Sequence, residues 1–196
     1  MIKLDATLVT RKYYQELAKK IGVNYKIPKN KFLKTPELPD LNWTVGDEVT
    51  SIYTELIYRG RYHNYLYPSS YLTKIRIETI RINSFSFEIS KETGLVKFGK
   101  KLWIKDIQMD EKEFDDKFLL ISTDENRLRN ILSSDLCNAF SSFGTDLSPE
   151  LKYENGAIIY KEFGKINSHE DVERIYTIYL IMQDINDKLK KESKPF

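Results

Sequence analysis

The sequence predicts an α+β fold: a mainly antiparallel twisted sheet with at least three helices packed on it. Three observations lead there. Apolar residues alternate with a period of two through the middle of the chain, stripes of helical period lie at both ends, and the turn signals between neighbouring strands are hairpin-short. A parallel sheet would need longer crossovers. All 196 residues read as a single α+β domain, with an N-terminal helix at 7–21, a strand-rich middle at 43–121 and a helix–hairpin–helix portion at 124–191.

The first helix is expected from Val9, Tyr13, Leu17 and Ile21, which repeat at four-residue steps, with Gly22 placed to close it. Pro28, Pro36 and Pro39 make 26–40 an extended surface connection, anchored by Phe32, Leu33 and Leu38. Glu48 to Tyr58 and Tyr62 to Tyr67 then flank Arg59-Gly60-Arg61, which predicts a hairpin turning at Gly60. Tyr71 to Ile82 is the longest strand candidate. Ile75 and Ile77 alternate, but Ile80 and Ile82 are one residue out of phase, so a β-bulge near Glu78-Thr79 is expected to return all four to one face. Phe85, Phe87 and Ile89 continue as a strand after a turn at Asn83-Ser84, and Lys91 to Gly94 closes another turn.

Further on, Phe114 and Phe118 bracket a charged loop, and Phe118 to Ile121 has the length and apolarity of a buried strand. Ser122-Thr123-Asp124 supplies capping side chains for a helix over 124–143, with a break at Ser133-Ser134 where a second cap occurs. Asn155-Gly156 between Leu151–Tyr153 and Ala157–Tyr160 is a hairpin signal. The last helix opens at Ser168 with Asp171 three residues on, and Val172, Ile175, Tyr179, Met182, Ile185 and Leu189 form its buried stripe. The expected core includes Phe114, Phe118, Leu120, Leu128, Ile131, Ile175 and Tyr179.

Composition bounds function more by exclusion than by indication. With 41% hydrophobic and 31% charged residues the chain is globular, and a net charge of +2 argues against a polyanion partner such as nucleic acid. Met1-Ile2-Lys3-Leu4-Asp5 lacks a signal peptide's basic and apolar regions, and no window has the roughly 18 apolar residues of a transmembrane segment. A cytoplasmic protein, or one peripheral to a membrane, is expected. A lone cysteine, Cys137, excludes an internal disulfide, and its neighbours Leu136, Ala139 and Phe140 make it a small buried hydrophobe. His169, beside the Ser168 cap, reads as a surface helix start and not as a general base.

Two stretches compete as sites. Asp106, Asp110, Glu111, Glu113, Asp115 and Asp116 form an acidic loop that a hydrolase or metal-dependent enzyme would use. The loop holds no glycine for a calcium-type turn, and Lys112 and Lys117 interrupt its charge, so no metal and no cofactor is expected. Phe114, Asp115 and Phe118 are read instead as a structural motif, with Asp115 bonding nearby backbone amides. The second stretch is Tyr58 to Tyr71, where Arg59, Arg61, His63 and Tyr65 are the binding candidates. Basic groups interleaved with rings there suit single-stranded nucleic acid, although tyrosines packed on a sheet explain the same pattern. No nucleophile elbow, phosphate loop or dinucleotide fingerprint occurs, so the function expected is a non-catalytic protein-interaction or ligand-binding domain.

The pattern also resembles a family of uncharacterised bacterial proteins, a domain of unknown function. The resemblance rests on Tyr14 to Gly22, on Tyr58 to Arg61, and above all on Lys105 to Asp110 followed by Phe114-Asp115-Asp116-Lys117-Phe118 and a strand and helix ending at Ile131-Leu132-Ser133. Met109-Asp110 stands where the family has a Gly-Asp pair. Some relatives carry membrane-spanning helices, so the resemblance implies another protein or a membrane-associated assembly as partner. It implies no catalytic residues.

Overall fold

The computed structural model describes residues 6–25, 39–57, 61–62, 65–66, 70–91, 106–142 and 147–193. Helix α1 (Ala6–Ile21) buries Tyr14, Leu17 and Ala18. Gly22, at φ +84°, ends it: Val23 N–H and Gly22 N–H return to the carbonyls of Ala18 and Lys19, satisfying acceptors the helix leaves open. Strands β1 (Asp40–Val45), β2 (Glu48–Ile57), β3 (Arg61–Tyr62), β4 (Tyr65–Leu66), β5 (Ser70–Glu78) and β6 (Phe87–Lys91) follow. Then come α2 (Lys112–Lys117), β7 (Phe118–Ser122), α3 (Glu125–Ile131), α4 (Ser134–Ser142), β8 (Glu150–Glu154), β9 (Ala157–Phe163) and α5 (His169–Glu192).

Among the described residues, seven strands make one antiparallel sheet in the order β1-β2-β5-β9-β8-β6-β7, and β3 and β4 pair separately. The fold is therefore α+β, as the alternation and short connections predict. Ile52, Ile75, Ile77, Ile158, Tyr160, Leu151, Tyr153, Phe87, Ile89 and Leu120 point to one face and join a core cluster with the apolar residues of all five described helices. The other face alternates Lys, Arg and Glu, joined in four ion pairs: Lys74–Glu55, Arg76–Glu78, Lys161–Glu150 and Lys152–Glu154. The described helices all pack on the first face, here the inner one.

Local signals read from sequence reappear at several elements. Asn155 and Gly156, at φ +51° and +78°, turn β8 into β9, because a two-residue loop that follows strand twist needs two left-handed residues. Ser168 Oγ accepts from Asp171 N–H, while the Asp171 carboxylate accepts from Asn167 N–H and Ser168 Oγ–H, so each end of this reciprocal cap supplies the other. Asp124 Oδ1 caps α3 through Arg127 N–H, and the helical stretch breaks between Ile131 and Ser134.

Elsewhere the structure departs from the sequence-based expectation. The long partner of β2 is β5, with Ile52 opposite Ile75 and Thr50 opposite Ile77, and not the 62–67 stretch. A ten-residue strand with an apolar inner face gains most from a partner of similar length and phase. Residues 61–62 and 65–66 instead form a two-rung ladder, Arg61 opposite Leu66 and Tyr62 opposite Tyr65, while Gly60 lies outside the described residues. No bulge follows Glu78. The strand ends, Thr79 N–H donates to Gly156 O, and Ile80 and Ile82 lie half-buried in the connection. Tyr153 Oη replaces the lost ladder bonds, donating to Ile80 O and accepting from Ile82 N–H at 2.9 Å each. The charged loop is a short helix, α2, whose turn stacks Phe114 on Phe118 with centroids 5.3 Å apart. On α5, Ile178 is fully buried, whereas Tyr179 is half-buried with its ring edge-on to Trp43.

Candidate functional site

Asp106 and Asp115 of the acidic loop are turned toward backbone. Asp106 accepts from Leu120 N–H at 3.2 Å and from the Gln108 amide at 2.9 Å, and Asp115 accepts from Met109 N–H at 2.9 Å. These bonds tie the 106–110 segment to α2 and β7, and Ile107 N–H adds a bond to Leu120 O. Asp110, at φ +64°, projects into solvent and lies 3.8 Å from Arg129, whose guanidinium also donates to Gln108 O. Among the described residues no three His, Cys, Asp or Glu side chains are grouped to hold a metal ion. Phe114 and Phe118 are buried against Phe140, and Cys137 lies in the same core, where burial and the nearby Glu111 and Asp115 charges push its thiol up to about 12.

The side chains of Arg59, Arg61, His63 and Tyr65 lie outside the described residues, although the backbones of Arg61 and Tyr65 sit in the β3–β4 ladder. Tyr71 is described: half-buried, with Lys165 Nζ 3.5 Å from its ring centroid.

A polar row that no sequence motif marks is buried beneath the helices. Thr54 of β2 lies opposite Thr73 of β5, and Thr73 opposite Glu162 of β9, so cross-strand register sets three polar side chains in line. Tyr14 Oη meets Thr54 Oγ1 at 2.8 Å, Thr54 meets Thr73 at 3.2 Å, and Thr73 Oγ1 donates to Gly164 O. Burial pushes the Tyr14 phenol above its ordinary value. At the other end Glu162, 1% exposed, accepts two bonds from the Arg174 guanidinium at 2.9 and 3.1 Å and one from Tyr160 Oη at 2.7 Å. Arg174 also donates to Asp171 at 2.6 Å. Burial opposes the charge on Arg174, but the Glu162 and Asp171 carboxylates outweigh it and hold its pKa above the ordinary value. Every member has a partner, so the row reads as a brace between α1, α5 and the sheet centre. The only signal for it in the sequence was three polar residues at strand positions whose neighbours two away are apolar.

A concave surface lies elsewhere, where the outer face runs out at the β8–β9 turn. Two adjoining cavities of about 340 and 190 Å³ share Ser86, Thr123 and Glu154. The larger continues to Arg81, Asn83, Ser84 and Asn155; the smaller lies over Glu88, Ile121 and Lys152. Its walls are pinned. Thr123 Oγ1 donates to Ser84 O and accepts from Ser86 N–H, and Thr123 N–H donates to Ser86 O. Gly156 lets the Thr79–Arg81 segment pass close by, since a Cβ there would lie 3.2 Å from Thr79 O. Beneath, Phe85, Phe87 and Tyr153 pack with centroids 5.6–6.2 Å apart. Glu154 is paired with Lys152 at 2.6 Å. The side chains of Arg81, Asn83, Ser84, Ser86 and Asn155 have no partner among the described residues.

Fold and groove together define the class: an α+β fold whose described residues form a seven-stranded antiparallel sheet, with helices on one face and a polar groove at the end of the other. Among the described residues no helix is long and apolar enough to cross a membrane. No protein-family model matches the chain, and no curated protein matches it. Among solved structures, the mycobacterial trehalose monomycolate transport factor A, TtfA, is similar at 14% identity with a TM-score of 0.40, over 92% of this chain and 94% of that one.

Proposed function

We propose that the chain is a non-catalytic binding domain and that the groove at the β8–β9 end of the sheet is where it binds. One contrast supports this reading. The buried or half-buried ionisable groups Glu162, Arg174, Asp171, Glu48 and Asp115 are held by backbone, by neighbouring polar side chains or by one another, whereas the groove's Arg81, Asn83, Ser84, Ser86 and Asn155 have no partner among the described residues. Catalysis needs titratable groups aimed at an open space with perturbed affinities for protons. Recognition needs a preformed concave surface with a few convergent polar groups, and the groove has that form. Amide spectra of the full chain, titrated with a library of small polar molecules, test the reading. Shifts are expected at Arg81–Ser86, Thr123 and Asn155, with each compound recovered unchanged. Conversion of a compound, or shifts at Asp106–Asp116 that require calcium or magnesium, would move the assignment to the carboxylate enzyme.

A further inference from the structure

We infer that the groove takes a small hydroxylated oxyanion, a phosphomonoester or carboxylate of monosaccharide size, with its anionic head at Arg81. This rests on the groove's being the binding site and adds the class of its ligand. In the larger cavity the cation is Arg81, which has no hydrogen bond, ion pair or ring contact among the described residues. The acid of that cavity, Glu154, is already neutralised by Lys152 at 2.6 Å. Arg81 is therefore the charge left without a counter-ion at this end. A guanidinium presents paired donors matched to two oxygens of a phosphate or carboxylate, and the Asn83 and Asn155 amides with the Ser84 hydroxyl add donors around the same space.

The smaller cavity differs in chemistry. Glu88, Glu154 and Lys152 line it beside Phe87, Ile121 and Tyr153, and carboxylates accept from hydroxyl groups. A ligand anionic at both ends would meet Glu88 there, and one without any hydroxyl group would leave these charges without partners. A hydroxylated body satisfies them. About 340 Å³ lies at the small end of ligand sites and suits a compact molecule. Because Thr123, Ser86, Tyr153 and Gly156 hold the walls by hydrogen bonds and close packing, little ordering is needed on binding.

Isothermal titration of the full chain with glucose 6-phosphate, gluconate, glucose and inorganic phosphate tests the inference. Glucose 6-phosphate or gluconate is expected to bind, and which of them does identifies the head group. Glucose and inorganic phosphate, each lacking one half of the ligand, are expected to bind at least tenfold more weakly. Arg81→Met, whose fold is checked by circular dichroism, is expected to weaken the charged sugar at least tenfold, and Arg81→Lys to restore part of the loss. Equal binding by wild type and Arg81→Met would overturn the anion anchor while leaving the groove as a binding site. Glucose binding as tightly as its charged forms would do the same. Failure of all four probes to bind would overturn the proposed ligand class, and the amide titration above would then decide separately whether the groove binds anything.

Discussion

On the helix-covered face of the sheet Arg174 commits its guanidinium to Glu162 and Asp171, whereas at the open end of β5 Arg81 lines a groove and touches neither. The two arginines show how one fold uses the same side chain in opposite ways. Arg174 is 16% exposed and faces a carboxylate that is 1% exposed, so Glu162 has no water to fall back on and Arg174 has little. A buried pair of this kind is poor at adding net stability but costly to break, because the survivor is left charged in a dry site. Arg81 is exposed and keeps its hydration, so removing it should cost the fold little.

The sharpest break of this comparison is Arg174→Met. With Glu162 left unpaired under α5, unfolding in urea should show a loss of about 3–5 kcal/mol. A loss below about 1 kcal/mol, the scale of an exposed pair, would mean that water reaches Glu162 and that the brace is not dry. Phe118→Ala should come next, at about 3–5 kcal/mol for a buried ring stacked on Phe114, whereas Asp115→Ala should cost about 1 kcal/mol through its bond to Met109 N–H. If Asp115→Ala instead stabilised the protein, the carboxylate would be a candidate for function after all.

Gly156→Ala probes the groove side. The φ of +78° and the 3.2 Å approach of a Cβ to Thr79 O should together cost about 1–2 kcal/mol, read as a lower midpoint of thermal unfolding. A pH series sharpens the inner-face account. Burial opposes ionisation of Glu48, but hydrogen bonds from Lys190, Gln183 and Asn186 outweigh it and hold its pKa below the ordinary value of 4.5. Asp171 is likewise partly buried, which opposes its charge, yet held low by Asn167 N–H, Arg174 and Ser168. Both carboxyls bind protons more readily when unfolded. Their contribution is therefore present above the ordinary carboxylate range and is lost as pH falls through the lower folded values. Glu48→Gln and Asp171→Asn should each flatten the acid limb of unfolding free energy against pH. An unchanged slope in both would count against the assigned bonds. The smallest effect is expected for Arg81→Met, within about 0.5 kcal/mol of wild type by the same urea measurement.

Where chemistry was local, the sequence was legible. Ser168 with Asp171, Asn155-Gly156, Gly22 and the break before Ser134 each depend on residues within a few positions of one another, and each appears in the structure. The candidate site was not legible in the same way. Arg81, Ser86, Thr123 and Asn155 are spread over 75 positions, and none carries a motif.

What the sequence alone determined, then, is the α+β class, the antiparallel habit of the strands and the caps that start and stop helices, because periodicity and side-chain-to-backbone bonds act over a few residues. Only the tertiary structure decided that β2 pairs with β5, that Thr54, Thr73 and Glu162 form one buried row, and that a half-finished strand at Glu78 bends over Gly156 to open a groove. Those outcomes depend on which distant strands lie side by side, and strand order is set by burying all apolar faces at once.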